Sequence, residues 1–366
     1  MRIAQVVAPW LPVPPQGYGG IEEVVYQLIE ELVDRGHEVT LFASGDSKTR
    51  ARLSYVFTDA LGNDGNLKNN PYTLLQQVYP AFKRADEFEV IHSHSLIQSL
   101  FLEQFVRTPV AHTIHGTITR GDTNWQKYAL YKEFPKSNYI SISNQQRTGI
   151  PELNYVATVY NGIDMAKFPA GLGAGKYVAW MGRITPKKGV VEAIEVARRV
   201  GIPMKIAAFV DPIDQSFFDA KVKPLLNIAD VEFLGELYDH ERAKLLGEAK
   251  ACLFPIKWQE PFGLVMVEAM ATGTPVIAFS RGSIPEIIVD GQTGYIVPGS
   301  THYVPEELDE VGVNQMIDAL KKILVMDEQT YLALRNNCHK HVEDHFTVVK
   351  MVDGYENVYK QISSQS

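Results

Sequence analysis

Short apolar runs alternate with segments of helical periodicity along most of the chain, and that alternation admits few folds. "RIAQVVAP" (residues 2–9) reads as a buried strand, and a long Pro-rich loop, "PWLPVPPQGYGG", follows it. "IEEVVYQLIEELVDRG" then carries apolar residues at helical spacing and stops at Gly36, and "HEVTLFAS" is a second strand. A strand, loop, helix, strand unit of this kind begins a parallel sheet. Further strands are expected at "FEVIHSHS", "TPVAHTIHG", "SNYISIS" and "YVATVYNG". The segment from Thr58 to Asn70, rich in Asn and Gly, reads as a surface loop. After the Asn161-Gly162 turn signal the pattern restarts, with strands at "KYVAWMG", "PMKIAAFV", "VEFLGEL", "ACLFPI", "TPVIAFS" and "GYIVP". Helices are expected between them at "GVVEAIEVARRVG", "HERAKLLGEAK" and "LVMVEAMATG". The last segment, "FTVVKMVDGYENVYKQI", reads as an amphipathic helix despite Gly354.

A chain of 366 residues with two such halves calls for two domains. We expect one over 1–163, joined by the helix at 346–366, and one over 164–345. Sheets of this class bind ligands beyond the carboxyl ends of their strands, so the cleft expected between two such domains directs attention to the loops after strands. Apolar residues make up 45% and charged residues 21%, as in a soluble globular protein. A net charge of −8 argues against a general affinity for nucleic acid or acidic lipid. Cys252 and Cys338 have no metal-ligand spacing, Cys252 lies in an apolar run, and a reducing cytoplasm fits both. No apolar run reaches membrane-spanning length, and the N-terminus reads as a strand, not a signal peptide.

The richest stretch is "QEPFGLVMVEAMATGTPVIAFSRGSIPE", residues 259–286. A helix should start near Phe262 or Gly263 and run to Ala271, where Gly273 and Pro275 stop it. Its first amides have no partner within the helix and carry partial positive charge, which suits a phosphate. Glycine at 263 lets a ligand approach the backbone. Glu260 lies just before the helix and Glu268 more than a turn inside, roughly 8–12 Å apart. That is awkward for an acid–base pair but suits hydroxyl-bearing sugars on either side of a diphosphate. Taken alone, Glu268 reads more readily as a surface helix residue and Glu260 as a helix-start charge; the pair with Pro261, Gly263 and the Gly-Thr-Pro break does not.

The segment "EPFGLVMVEAMATGTPVIAF" resembles the Glu-x7-Glu signature of retaining GT-B glycosyltransferases, specifically glycosyltransferase family 4, and the resemblance extends over nearly the whole chain. It implies an α/β chain of two doubly wound Rossmann-like domains facing a central cleft, with the C-terminal helix crossing back to the first. The donor-binding positions it implies in this segment are Pro261, Phe262, Gly263, Leu264 and Glu268, with Glu260 catalytic. In "WMGRITPKKG", Arg183 and Lys188 present two cations from one loop, and the Gly-Arg to Lys-Gly pattern resembles the family's diphosphate-binding loop; Lys187 matches no position in it. Gly19 and Gly20 in "PQGYGGIEE" match the N-terminal Gly-Gly loop, and the stretch has no G-x-G-x-x-G dinucleotide fingerprint. His115 in "HTIHG" matches a histidine that touches the transferred sugar. His92 and His94 read as cleft-wall or structural residues, since two ligands without a third make no metal site. "VEFLGEL" resembles the strand and loop beside the base, which assigns Leu234, Gly235 and Leu237 to donor binding. Where many relatives carry a Gly-rich turn after the preceding strand, this chain has "AAFVDPID".

The resemblance therefore implies a cytoplasmic hexosyltransferase that moves a sugar, with retention, from a nucleotide diphosphate sugar to an acceptor hydroxyl. Uridine diphosphate glucose is the first candidate donor. No Asp-x-Asp pair occurs, which agrees with transfer that needs no metal or other cofactor, the cations and helix amides neutralising the diphosphate. No carboxylate is obviously placed as a nucleophile, so front-face displacement is expected, with a hinge near 161–164. The acceptor is expected on the first domain, shaped by the loops near 62–70 and at "TRGDTNW"; "STHYVPEELDE" reads as a solvated insertion. A nucleotide-sugar epimerase of the same architecture and a non-catalytic nucleotide-sugar-binding protein remain alternatives. An NAD-dependent oxidoreductase would want the missing glycine fingerprint.

Overall fold

The computed structural model describes residues 1–364 except 18, 63, 64, 69, 95, 119–124, 174, 229, 302, 303 and 305. The loop at 119–124 and parts of those at 62–70 and 300–310 thus lie outside the described residues. The chain divides into two compact units, Met1–Gly162 with Val348–Ser366, and Ile163–Thr347.

The first unit is built on a seven-stranded sheet of order β3-β2-β1-β4-β5-β6-β7. Its strands are β1 Arg2–Val6, β2 Glu38–Phe42, β3 Arg52–Ser54, β4 Val90–His94, β5 Val110–Ile114, β6 Asn138–Ser141 and β7 Tyr155–Thr158. All pair in parallel. β4 and β5 are buried along their whole length, as strands covered on both faces must be, and this is why they read as apolar runs. One apolar cluster joins Val6, Phe42, Val78 and Ile91; another joins Leu100, Ile114, Tyr131 and Tyr139. The C-terminal helix Val348–Ser363 packs in this unit against the helix Gly20–Asp34, β5 and β7. Gly354 does not break it: a Cβ there would come within 3.1–3.2 Å of Val159, so the glycine lets the helix lie close to the chain after β7.

The second unit has six parallel strands in the order β10-β9-β8-β11-β12-β13. They are β8 Val178–Arg183, β9 Met204–Phe209, β10 Val231–Gly235, β11 Ala251–Phe254, β12 Val276–Phe279 and β13 Gly294–Val297. This is the Rossmann order, in which strand direction of travel reverses between β8 and β11. Arg183 ends β8, and the loops after β8 and β11 carry Lys188 and Glu260, so the predicted chemistry falls at the topological switch point. Trp180, Ile194, Ile206, Leu253, Ile277 and Leu320 share the core.

Two buried charges fix the loops of this sheet, Lys257 at the switch point and Arg335 at the opposite edge, where helices lead into β11 and β12. Lys257 pairs with Glu192, gives a second hydrogen bond to the carbonyl of Glu307 (2.8 Å), and its backbone N–H donates to the carbonyl of Lys187 (2.8 Å). Burial raises the Glu192 carboxyl above its ordinary range, and Lys257 only partly offsets this. Arg335, 4% exposed, donates to the carbonyls of Gly171 (2.8 Å), Gly247 (3.1 Å) and Thr272 (3.0 Å). Gly247 and Thr272 lie at the carboxyl ends of the helices Asp239–Glu248 and Leu264–Ala271, where carbonyls lack helical partners and a cation is favoured. Arg335→Met should therefore remove three hydrogen bonds made by one buried guanidinium, leaving the carbonyls of Gly247 and Thr272 only their backbone donors, Gly173 N–H and Gly171 N–H, and destabilise the second unit by roughly 2–4 kcal/mol. Urea unfolding of the two proteins checks this; equal midpoints would contradict it.

Candidate donor site

The Leu264–Ala271 helix starts one or two residues later than expected, because Gly263 stands outside it as a left-handed N-cap at φ 87°. A Cβ at 263 would come within 2.6 Å of Met266 Cε. No acidic residue occupies the helix's first turn, so its amide dipole is unanswered from within the helix. Pro261 and Phe262 are buried, and the Phe262 carbonyl accepts from the Ser283 hydroxyl (2.8 Å). Leu264, half-buried, opens the helix.

Glu260 is buried and its Oε2 accepts from Lys188 Nζ (2.9 Å) and from the Trp258 indole N–H (3.0 Å). The Lys188 ammonium also lies over the Trp258 ring, 5.3 Å from its centroid. The two residues assigned to hexose and diphosphate thus hold each other. Glu268 is buried too; its Oε1 pairs with Arg242, and its Oε2 has no hydrogen-bond partner among the described residues. Arg183 reaches Asp214 (3.0 Å) and Asp211 (3.8 Å). This follows from register: Arg183 pairs with Phe209 across β8 and β9, which brings the loop after β9 beside it. The "DPID" departure therefore supplies two carboxylates to the cation expected to meet diphosphate. Leu234 and Gly235 end β10, Gly235 at φ 72°, and Leu237 follows half-buried.

Sequence reasoning missed Arg242, Asp211, Asp214 and Trp258. Only "DPID" carried a signal, as a break from the expected glycine turn. Arg242 sits in a plain amphipathic helix, and its meeting with Glu268 is a through-space event.

In the first unit Gly19 is the extended N-cap of the Gly20–Asp34 helix and Gly20 its first residue. Pro15 Cβ would lie 2.6 Å from a Cβ at Gly19, so the loop closes on it. That helix, unlike Leu264–Ala271, has Glu22 and Glu23 in its first turn, whose charge already answers its dipole. His115 follows β5 and is buried beside His94 (Nε2 to Nδ1, 3.0 Å). His92 and His94 lie within β4 and are buried and hydrogen-bonded. Burial pushes the His115 imidazole down to about 3 and holds His92 and His94 well below the usual value, each aided by neighbouring imidazoles. Burial likewise raises the Cys252 thiol to about 12. Among the described residues no helix is long and apolar enough to cross a membrane.

The chain matches two family models, Glycosyltransferase Family 4 over residues 18–167 and Glycosyl transferases group 1 over 166–311. Glycogen synthase of Mycobacterium tuberculosis is 29% identical over 334 residues, spanning 77% of this chain and 79% of the relative. Sucrose-phosphate synthase of Thermosynechococcus elongatus has the same fold, with a TM-score of 0.81 at 20% identity over all of both chains. The Anabaena protein HepE, solved in complex with UDP-glucose, matches with a TM-score of 0.75 at 17% identity over 99% of this chain and 100% of its own.

The neutral histidines also make a pH prediction. Unfolded imidazoles take up protons below about pH 6.5 while these folded ones do not, so acid favours unfolding. Between pH 6.5 and about 3 His115 removes up to ~1.4 kcal/mol per pH unit from stability, and His92 and His94 add in the same direction. Hydrogen exchange at the β4 and β5 amides should show protection falling from pH 6.5 to 5, where most carboxylates stay ionised. Equal opening free energies across that range would contradict it. Taken with the two family models and the Rossmann strand order of both halves, the chain belongs to the family 4 glycosyltransferases, of GT-B fold.

Proposed function

We propose that the chain transfers a hexose from a nucleotide diphosphate sugar to an acceptor hydroxyl with retention, without a metal, and with uridine diphosphate glucose as first donor. One observation carries this reading: a helix start free of acidic residues lies between two buried carboxylates, Glu260 and Glu268, each paired with a cation. The pyrophosphate lies over the amides near Gly263 and Leu264. Glu268 Oε2, a buried acceptor without a partner among the described residues, receives a ribose hydroxyl. Glu260 orients the hexose hydroxyls, and Leu234, Gly235 and Leu237 border the base. His115, with Gly19 and Gly20, belongs to the sugar and phosphate side. The fold shared with the UDP-glucose complex of HepE favours the donor choice.

In the proposed front-face step the acceptor oxygen bonds to the anomeric carbon as the carbon–phosphate oxygen bond breaks. The acceptor's proton passes to the departing phosphate oxygen. Negative charge grows on the diphosphate, so Arg183, Lys188 and the helix amides stabilise the transition state more than the bound donor. Arg183 must exchange Asp214 for the diphosphate as this happens, which places two carboxylates ready to receive it again when product leaves.

A thermal-shift panel of nucleotide sugars in the presence of a chelator tests the reading. Uridine diphosphate glucose should raise Tm, and no shift with any nucleotide sugar would sink the proposal. Glu268→Ala should raise donor KM by ~10-fold or more with little change in kcat, from loss of a charged hydrogen bond. Arg183→Ala should lower kcat by about 100-fold at saturating donor; an unchanged kcat removes its leaving-group role. Asp214→Asn should act oppositely on affinity, tightening the nucleoside diphosphate product by ~3–10-fold as Arg183 is loosened.

A further inference from the structure

A single directed chain of hydrogen bonds runs through the first unit from the C-terminal helix to His115. The Thr113 hydroxyl donates to Tyr355 Oη (3.3 Å), so its oxygen receives the Nε2–H of His92 (2.7 Å). A neutral imidazole carries one proton, so His92 Nδ1 accepts, and its donor is the Tyr359 hydroxyl (2.7 Å). The Tyr359 oxygen accepts in turn from Gln5 Nε2 (3.0 Å). Gln5 Oε1 is then the acceptor for His94 Nε2–H (2.8 Å). That leaves His94 Nδ1 to accept from His115 Nε2–H (3.0 Å). Burial keeps the three rings neutral, which makes the one-proton count hold for each. Gln5, His92, His94, Thr113, Tyr355 and Tyr359 are all buried, so no bulk water competes for these groups.

We propose that Gln5, His94 and Tyr359 are positioning residues that hold His115 in its Nε2–H tautomer, with Nδ1 as the acceptor nitrogen. The residue that orients the amide of Gln5 is Tyr359, from the last helix, so the C-terminal segment sets the hydrogen-bonding character of a side chain 244 positions earlier. Reversing Gln5 would reverse every later bond: its amide would donate to His94, and His115 would carry its proton on Nδ1 instead. Tyr359 prevents this while its own proton is committed to His92. Where His115 meets substrate, it offers an acceptor to a sugar hydroxyl and not a donor to a sugar oxygen. The tautomer assignment stands on the hydrogen bonds between buried, neutral rings; its catalytic consequence rests on the proposed sugar contact.

Long-range nitrogen–proton correlation spectra of the full chain, labelled with ¹⁵N-histidine at pH 7.5, test it, with His115 assigned by comparison with His115→Gln. The expected His115 pattern is a protonated, pyrrole-like Nε2 and an unprotonated, pyridine-like Nδ1. An Nδ1–H tautomer or an even mixture in the unmodified protein overturns the proposal, without reliance on any variant folding. Tyr359→Phe should convert the single tautomer into a mixture and raise donor KM by ~3–10-fold; an unchanged tautomer overturns the relay. If the tautomer shifts while donor KM does not, the relay stands and the sugar contact of His115 falls.

Discussion

The eight-residue helix Leu264–Ala271 is the element on which the second unit's chemistry depends. Its amide end opens at a left-handed glycine after the Glu260 turn, and its carbonyl end rests on the buried guanidinium of Arg335. A cation at the carbonyl end and a first turn without acidic residues agree with a single dipole, whose amide end favours an anion. The apolar body of the helix is buried in the sheet's cover, which prevents it from turning to relieve either end.

Around this helix the charges expected to meet ligand are already matched. Lys188 holds Glu260, Arg242 holds Glu268, and Asp211 and Asp214 hold Arg183. Partly buried pairs of this kind fix geometry before donor arrives, and they lower the cost of desolvating each charge alone. The pairs differ in what binding asks of them. Glu268 keeps an unused buried oxygen, so it can take a ligand hydroxyl without releasing Arg242. Arg183 has carboxylates on its side and must exchange them. In the proposed reaction that difference would separate affinity from turnover.

The parallel strands were legible because burial on both faces writes them as apolar runs, and the switch-point loops followed from their order. β3, three residues at the sheet edge with no apolar run, was not legible, nor were the helices Glu310–Leu324 and Glu328–His345. Glu260, Gly263 and Glu268 stood out since they share one local motif. The partners of these residues did not, because Arg242, Asp211 and Asp214 arrive from other loops and helices by register. Gln5 and Tyr359 lie 354 positions apart, so no periodicity could join them. Gly354 did not hide the last helix, and its approach to Val159 explains why the helix carries a glycine.

The central claim is that a pyrophosphate is held at the start of the Leu264–Ala271 helix. A crystal structure with a nucleoside diphosphate bound tests it most directly. Phosphate oxygens should lie within hydrogen-bond distance of the amides near Gly263 and Leu264, with a ribose hydroxyl on Glu268 and Arg183 turned from Asp214 to the diphosphate. A nucleotide bound elsewhere, with Arg183 still on Asp214 and Glu268 Oε2 untouched, would contradict it.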